Sequence, residues 1–155
     1  MDEVLIEPLA LHPEVLPVLQ QWFETEWSSY YGPGGPGDAQ RDLQAYASRG
    51  SLPVGVVAFR EGRVCGIAAL KAESIASHRH LSPWAAAGLV APSERGQGIG
   101  ARLIAALEQE ARSLGFQSIY CGTSTAESLL VRCGWQLHER ILHEGEPLGI
   151  YRKDL

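Results

Sequence analysis

Apolar residues at three- and four-residue spacing, Val15, Leu16, Leu19, Trp22, Phe23 and Trp27, form one stripe of a helix that the pattern starts near His12, with Pro13 in its first turn. A second stripe, Ile99, Leu103, Ile104, Leu107, Ala111 and Leu114, leaves Arg102, Glu108, Glu110 and Arg112 for solvent. It predicts a long helix over 99–114 that Gly115 stops. Short uninterrupted apolar runs at 4–6, 54–59, 64–70 and 85–91 predict strands, and Arg60-Glu61-Gly62-Arg63 joins the second and third as a tight hairpin. Asp38 caps a short helix that carries Leu43 and Tyr46 and ends by Gly50. The run Gly32-Pro33-Gly34-Gly35-Pro36-Gly37 before it is a loop, because glycine and proline in succession hold no regular structure. Further on, 117–121 reads as a strand, 125–132 as a short helix, and 135–142 and 148–152 as strands. The order βααβββαβαββ, with no internal repeat, predicts a single mixed α/β (α+β) domain spanning 1–155.

A chain of 155 residues buries roughly two thirds of its unfolded surface, enough for a core without disulfides or a structural metal. Its net charge of −5 speaks against a nucleic-acid partner, whose phosphates need clustered Lys and Arg, yet permits a local anion site. No apolar run approaches the ~18 residues of a membrane span, and the start Met1-Asp2-Glu3 is acidic, so the expectation is a cytoplasmic protein without a membrane partner. Cys65, Cys121 and Cys133 are odd in number and lack CxxC spacing, which predicts reduced thiols in the core.

Chemistry concentrates in Leu89-Val90-Ala91-Pro92-Ser93-Glu94-Arg95-Gly96-Gln97-Gly98-Ile99-Gly100-Ala101, where a strand passes through a glycine-rich turn into the long helix. Glycines there can turn amides inward, the first helical turn adds its free N–H groups, and Arg95 adds a charged donor, a combination suited to phosphate. A P-loop would need a Lys that this turn lacks. The spacing Gly96-x-Gly98-x-x-Ala101 meets the permissive dinucleotide form, but it begins well beyond the strand end and no acidic residue closes a second strand at the required distance. A turn that only caps the helix is the remaining alternative.

The segment Arg95-Gly96-Gln97-Gly98-Ile99-Gly100 resembles the pyrophosphate loop of the GNAT superfamily, the acyl-CoA-dependent N-acetyltransferases, whose pattern is [QR]xxGx[GA]. Val90 precedes the Arg as in the form VxPxxRGxGxG, Ser82-Pro83-Trp84 lies upstream, and Leu129-Leu130-Val131-Arg132-Cys133-Gly134-Trp135 is similar to FYxKxGF. The resemblance covers nearly the whole chain. It implies a central, mostly antiparallel sheet of about seven strands, flanked by about four helices and splayed between its fourth and fifth strands, with acetyl-CoA as cosubstrate in the split. Main-chain groups of Gly88, Leu89 and Val90 would bind the acetyl carbonyl and pantetheine amides, and Arg95, Gly96, Gln97, Gly98, Ile99, Gly100 and Ala101 the diphosphate. Small residues at Ala85-Ala86-Ala87-Gly88 suit a bulge or a close ligand approach. Arg132, in the Lys position, would reach a CoA phosphate or lie exposed.

The resemblance implies transfer of acetyl to a primary amine of a small molecule or peptide by direct attack in a ternary complex, and leaves a homodimer open. One departure matters. The family's frequent acid, the Tyr of FYxKxGF, is Leu130 here. A thiolate with a parent pKa of ~8.5 leaves without much protonation, so the loss lowers the rate without ending turnover. The alternative is a catalytically weak acyl-CoA-binding or regulatory relative. Candidate bases are Glu26, Glu73 and His80. His78-x-His80 without a third ligand argues against metal, and no His–carboxylate set is placed to activate Cys121 or Cys133. Trp27, Tyr30 and Tyr31 stand before the Gly/Pro loop as candidate acceptor contacts, with Glu24, Glu26, Asp38 and Asp42 favouring a cationic amine.

Overall fold

Strands β2 (Val54–Arg60) and β3 (Arg63–Lys71) are apolar along nearly their whole length because both of their faces are covered. They meet at Glu61 and Gly62, both with positive φ, the backbone that a two-residue hairpin turn requires. The structure, a computed structural model, describes residues 3–155; the acidic start Met1-Asp2 lies outside them. Around this hairpin a seven-stranded sheet forms in the order β1-β2-β3-β4-β5-β7-β6, with β1 at Val4–Pro8, β4 at Trp84–Val90, β5 at Ser118–Thr123, β6 at Gln136–His143 and β7 at Glu146–Asp154. All neighbours are antiparallel except β4 and β5, which run parallel.

Five α-helices accompany the sheet among the described residues: α1 (Leu16–Glu26), α2 (Ser28–Tyr31), α3 (Ala39–Tyr46), α4 (Ile99–Ser113) and α5 (Glu127–Arg132). Ile99, Leu103, Leu107 and Ala111 of α4 pack on Val56, Ala58, Ala68 and Leu70. On the opposite face Leu19 and Phe23 of α1, with Leu43 and Tyr46 of α3, cover Val57, Phe59, Ile67 and Ala69. Asp38 caps α3 by accepting from the Arg41 amide. Burying these alternate sets on two faces is the main force for this topology, at roughly 25 cal/mol per Å² of apolar surface.

Three local expectations are corrected. The first helix begins at Leu16, not near His12, and two 3₁₀ turns, Leu9–Leu11 and Pro13–Val15, precede it. A helix entered at Pro13 would need an N–H at Pro17 to bond four residues back; restarting at Leu16 puts Pro17 in the first turn, where no N–H is needed. The helix α2 is additional, a single turn started when Trp27 leaves helical geometry. Glu108, expected in solvent, is buried: its carboxylate accepts from Trp135 Nε1 at 3.1 Å and from Lys153 Nζ at 2.9 Å, so the charge is paired and hydrogen-bonded.

Candidate active site

The parallel pairing of β4 with β5 is confined to Trp84 opposite Tyr120. Beyond it the two strands separate, leaving facing main-chain edges without a ladder partner. A bulge in β4 reinforces the separation: Ile67 pairs with Leu89 and Ala69 with Ala86, so three steps on β4 oppose two on β3. The extra residue lies at Ala87-Gly88, where Ala87 takes φ 55, a left-handed conformation that costs an alanine about 1–2 kcal/mol. Gly88 is exposed, and a Cβ there would meet nothing within 4 Å. The strand thus presents main-chain groups to open space.

The split is a cavity of ≈ 340 Å³. Ala85 to Val90 form one wall, and Cys121, Gly122 and Thr123 form the other. Gly100, Leu103 and Leu130 close one end, and Trp27 stands at the other. Since Leu103 packs on the α4 face and Trp27 on the α1 face, the cavity joins the two sides of the sheet. Its lining is small and apolar, suited to a slender chain that relies on backbone hydrogen bonds.

A second cavity of ≈ 330 Å³ lies at the start of α4 and is lined by Val90, Glu94, Arg95, Gly96, Gly98, Ile99, Gly100, Ala101, Leu129 and Arg132. Gly96 and Gly98 have φ of 78° and 83°, and Gly98 is the residue from which α4 starts, so the turn folds back on itself and aims the unbonded amides of the first turn outward. A helix N-terminus with this exposure favours anions. The long helix behind it, 15 residues, supplies a full dipole. Gly100 also lets α5 approach: a Cβ there would come within 3.3 Å of Leu129 Cδ2.

The profile of the acetyltransferase (GNAT) family matches residues 19–135, most of the chain. The chain belongs to the GNAT family. Solved structures share its fold at low identity. An aminoglycoside 6′-N-acetyltransferase complexed with coenzyme A is 16% identical, covering 97% of this chain and 96% of its own, at TM-score 0.78. The ribosomal-protein-alanine N-acetyltransferase of Brucella melitensis is 23% identical, covering 97% and 99%, at TM-score 0.74. In the N-acetylglutamate synthase of Neisseria gonorrhoeae, complexed with coenzyme A and N-acetylglutamate, the likeness covers 99% of this chain but 35% of that one, at 18% identity and TM-score 0.68. No curated protein matches the chain by sequence.

In this GNAT fold the residues singled out by sequence separate into groups. Gly88, Leu89 and Val90 line the split, and Arg95, Gly96, Gly98, Ile99, Gly100 and Ala101 line the amide turn. Two exposed side chains in the turn are tied to other parts of the protein. Arg95 donates from Nε to the Val90 carbonyl at 2.9 Å and from Nη2 to Glu26 Oε1 at 2.6 Å, and Gln97 accepts from Arg60 Nη2 at 3.0 Å. Arg132 is exposed in the wall of the second cavity.

None of the three candidate bases lines the split. Glu26 is held by Arg95; Glu73 pairs loosely with Arg79 at 3.7 Å; exposed His80 stacks on His78 at 5.6 Å, and His78 is itself held by Ser77 Oγ and Glu139. Trp27 reaches the cavity, whereas Tyr31 packs on Phe23 and donates its hydroxyl to Asp42 Oδ2 at 2.7 Å. Burial and that carboxylate push the Tyr31 hydroxyl far above its usual pKa. Exposed Tyr30 meets Tyr31 edge-on and bonds the Gly/Pro loop through its carbonyl, which accepts from Gly37 N.

Cys121 lies in the cavity wall, and burial pushes its thiol up to about 12; burial also raises Cys65. A thiolate is therefore scarce at neutral pH, against a covalent acyl-enzyme at Cys121. Thr123 and Thr125 of the lining escaped sequence reading. Thr123 Oγ1 accepts from the amides of Thr125 and Ala126, turning the chain into α5, a signal carried only by a Thr four residues before a short helix.

Proposed function

We propose that this GNAT protein transfers acetyl from acetyl-CoA to a primary amine by direct attack in a ternary complex, acting as one domain over residues 1–155 in the cytoplasm. The observation that carries this reading is the continuity of the split: a narrow apolar slot between β4 and β5, with amides of the α4 turn near one end and Trp27 at the other. The diphosphate would rest on Gly96, Gln97, Gly98, Ile99, Gly100 and Ala101 through main-chain N–H groups, with Arg132 as the exposed cation. The Arg95 side chain then acts by fixing the turn. The pantetheine arm would follow Gly88, Leu89 and Val90, and amides freed by the Ala87 bulge would meet the thioester oxygen as it gains charge.

The acceptor enters from the α1 side beside Trp27, with Tyr31 shaping that wall and Tyr30 at its exposed rim. Its neutral nitrogen forms a bond to the acetyl carbon, the C–S bond breaks with its electron pair leaving as CoA thiolate, and the nitrogen gives up one of its two hydrogens as a proton to that thiolate, so that the products are the neutral amide and CoA thiol. The ammonium proton is lost before attack. With Glu26 in an ion pair and Glu73 and His80 outside the split, solvent water takes it. Proximity in the slot supplies much of the rate.

A second reading has its own support in Leu130. It is 1% exposed, lines the slot, and puts an aliphatic chain where the family's frequent acid hydroxyl stands. A protein that binds acyl-CoA with little turnover follows from that.

Calorimetric titration with CoA tests binding, and thiol release from acetyl-CoA tests turnover with an aminoglycoside, a polyamine and a peptide with an N-terminal alanine. Amine-dependent thiol release supports the transferase; CoA binding without it supports the second reading; absence of binding removes both.

A further inference from the structure

A carboxylate in the wall of an anion pocket is a liability. Glu94 lines the cavity at the start of α4 together with the glycine turn and Arg132. Its side chain is only 17% exposed, so water screens it poorly and its charge would oppose a diphosphate placed there. Arg60 stands against it. The last residue of β2, 13% exposed in its side chain, brings Nε to 3.3 Å from Glu94 Oε1 and donates from Nη2 to Gln97 Oε1 at 3.0 Å. One guanidinium thus holds the turn on both sides of Gly96. Its planar fork lets two nitrogens engage two partners at once, which an ammonium at one point does not reproduce.

We propose that Arg60 is a positioning residue for the coenzyme: it neutralises Glu94 beside the diphosphate pocket and fixes Gln97, so that the amides from Gly96 to Ala101 face the anion before it arrives. The role rests on the acetyl-CoA reading and adds a residue from a distant hairpin to that site. It acts through charge, and charge can be tested apart from shape.

The decisive comparison is R60M, E94Q and the double variant R60M/E94Q, with CoA affinity measured by titration and KM for acetyl-CoA and for S-acetylpantetheine, which lacks the diphosphate. R60M leaves Glu94 unopposed and is expected to weaken CoA about tenfold or more, raising KM for acetyl-CoA more than it lowers kcat. E94Q alone is expected to bind CoA at least as tightly as the wild type. In the double variant most of the lost affinity returns, because the opposing charge is gone. KM for S-acetylpantetheine stays the same in all four proteins. Unchanged CoA affinity in R60M, no recovery in the double variant, weaker binding by E94Q, or an equal rise in KM for S-acetylpantetheine would each overturn the role. Should R60M not fold, E94Q alone still decides through the sign of its effect. Failure of the wild type to bind CoA removes the acetyl-CoA reading itself, a result distinct from wild-type binding that R60M leaves unchanged.

Discussion

Gly98 shows how much one backbone conformation can carry. Its φ of 83° starts α4, and a Cβ added there meets nothing within 4 Å, so substitution is opposed by the left-handed backbone alone. Gly98→Ala should therefore lose about 1–2 kcal/mol, seen as a drop in melting temperature of roughly 2–8 °C. The CoA-induced rise in melting temperature should shrink as well, since the strained residue is the one that aims the amides. His12 carries a different kind of prediction. Desolvation lowers its pKa, but Glu14 Oε2 at 3.1 Å from Nδ1 and Glu7 Oε1 at 2.6 Å from Nε2 outweigh it, and the folded pKa lies above the ordinary value of 6.5. A pKa raised by folding gives stability that is complete below about 6.5 and disappears as pH rises through the folded value. Melting temperatures of the wild type should fall across that window, and His12→Gln should flatten the fall.

Among the elements, α4 is tied to the C-terminal hairpin by Glu108. Its carboxylate accepts from Trp135 and Lys153, and Lys153 also donates to the Cys133 carbonyl, so one buried charge joins α4, the end of α5 and β7. Glu108→Ala strands an indole N–H and an ammonium. Because Lys153 remains 25% exposed, the expected loss is about 3 kcal/mol, the low end for a broken buried pair, read from the urea midpoint at unchanged slope. Glu108 was illegible because helical periodicity assigns faces by polarity, and a polar residue on the border of the apolar stripe counts as solvent-facing until something packs beside it. The start of α1 was misplaced for a related reason: Pro13 satisfies a first-turn rule, but Pro17 satisfies it better, and only one can hold that place in a continuous helix. Strands β2 and β3 and the hairpin between them were legible because an uninterrupted apolar run has few other solutions.

On the scale of the whole molecule, the split between β4 and β5 is the slot that the proposed transfer would use for both substrates, and among the described residues none of the three candidate bases lines it. A primary amine near pKa 10.4 is then mostly charged at neutral pH and must shed its proton to solvent. For a polyamine acceptor of that pKa the logarithm of kcat/KM should rise with unit slope from pH 6.5 to 9, and Glu26→Gln should leave that slope intact; a plateau below pH 8 with that acceptor would instead reveal a base within the enzyme. The amide turn, the small-residue strand and the leucine in place of the usual acid could all be read in order along the chain, because each is a contiguous segment whose chemistry follows from its own residues. The sequence by itself therefore determined most of the element types, the family, and the place of the glycine-rich turn before α4. Only the tertiary structure decided the partners of side chains far apart in the chain: Arg95 with Glu26, Arg60 with Glu94 and Gln97, Glu108 with Lys153. Local propensity is written within a few neighbouring residues, whereas the pairing of distant charges depends on which faces the sheet and helices bury together, and no spacing along the chain encodes that.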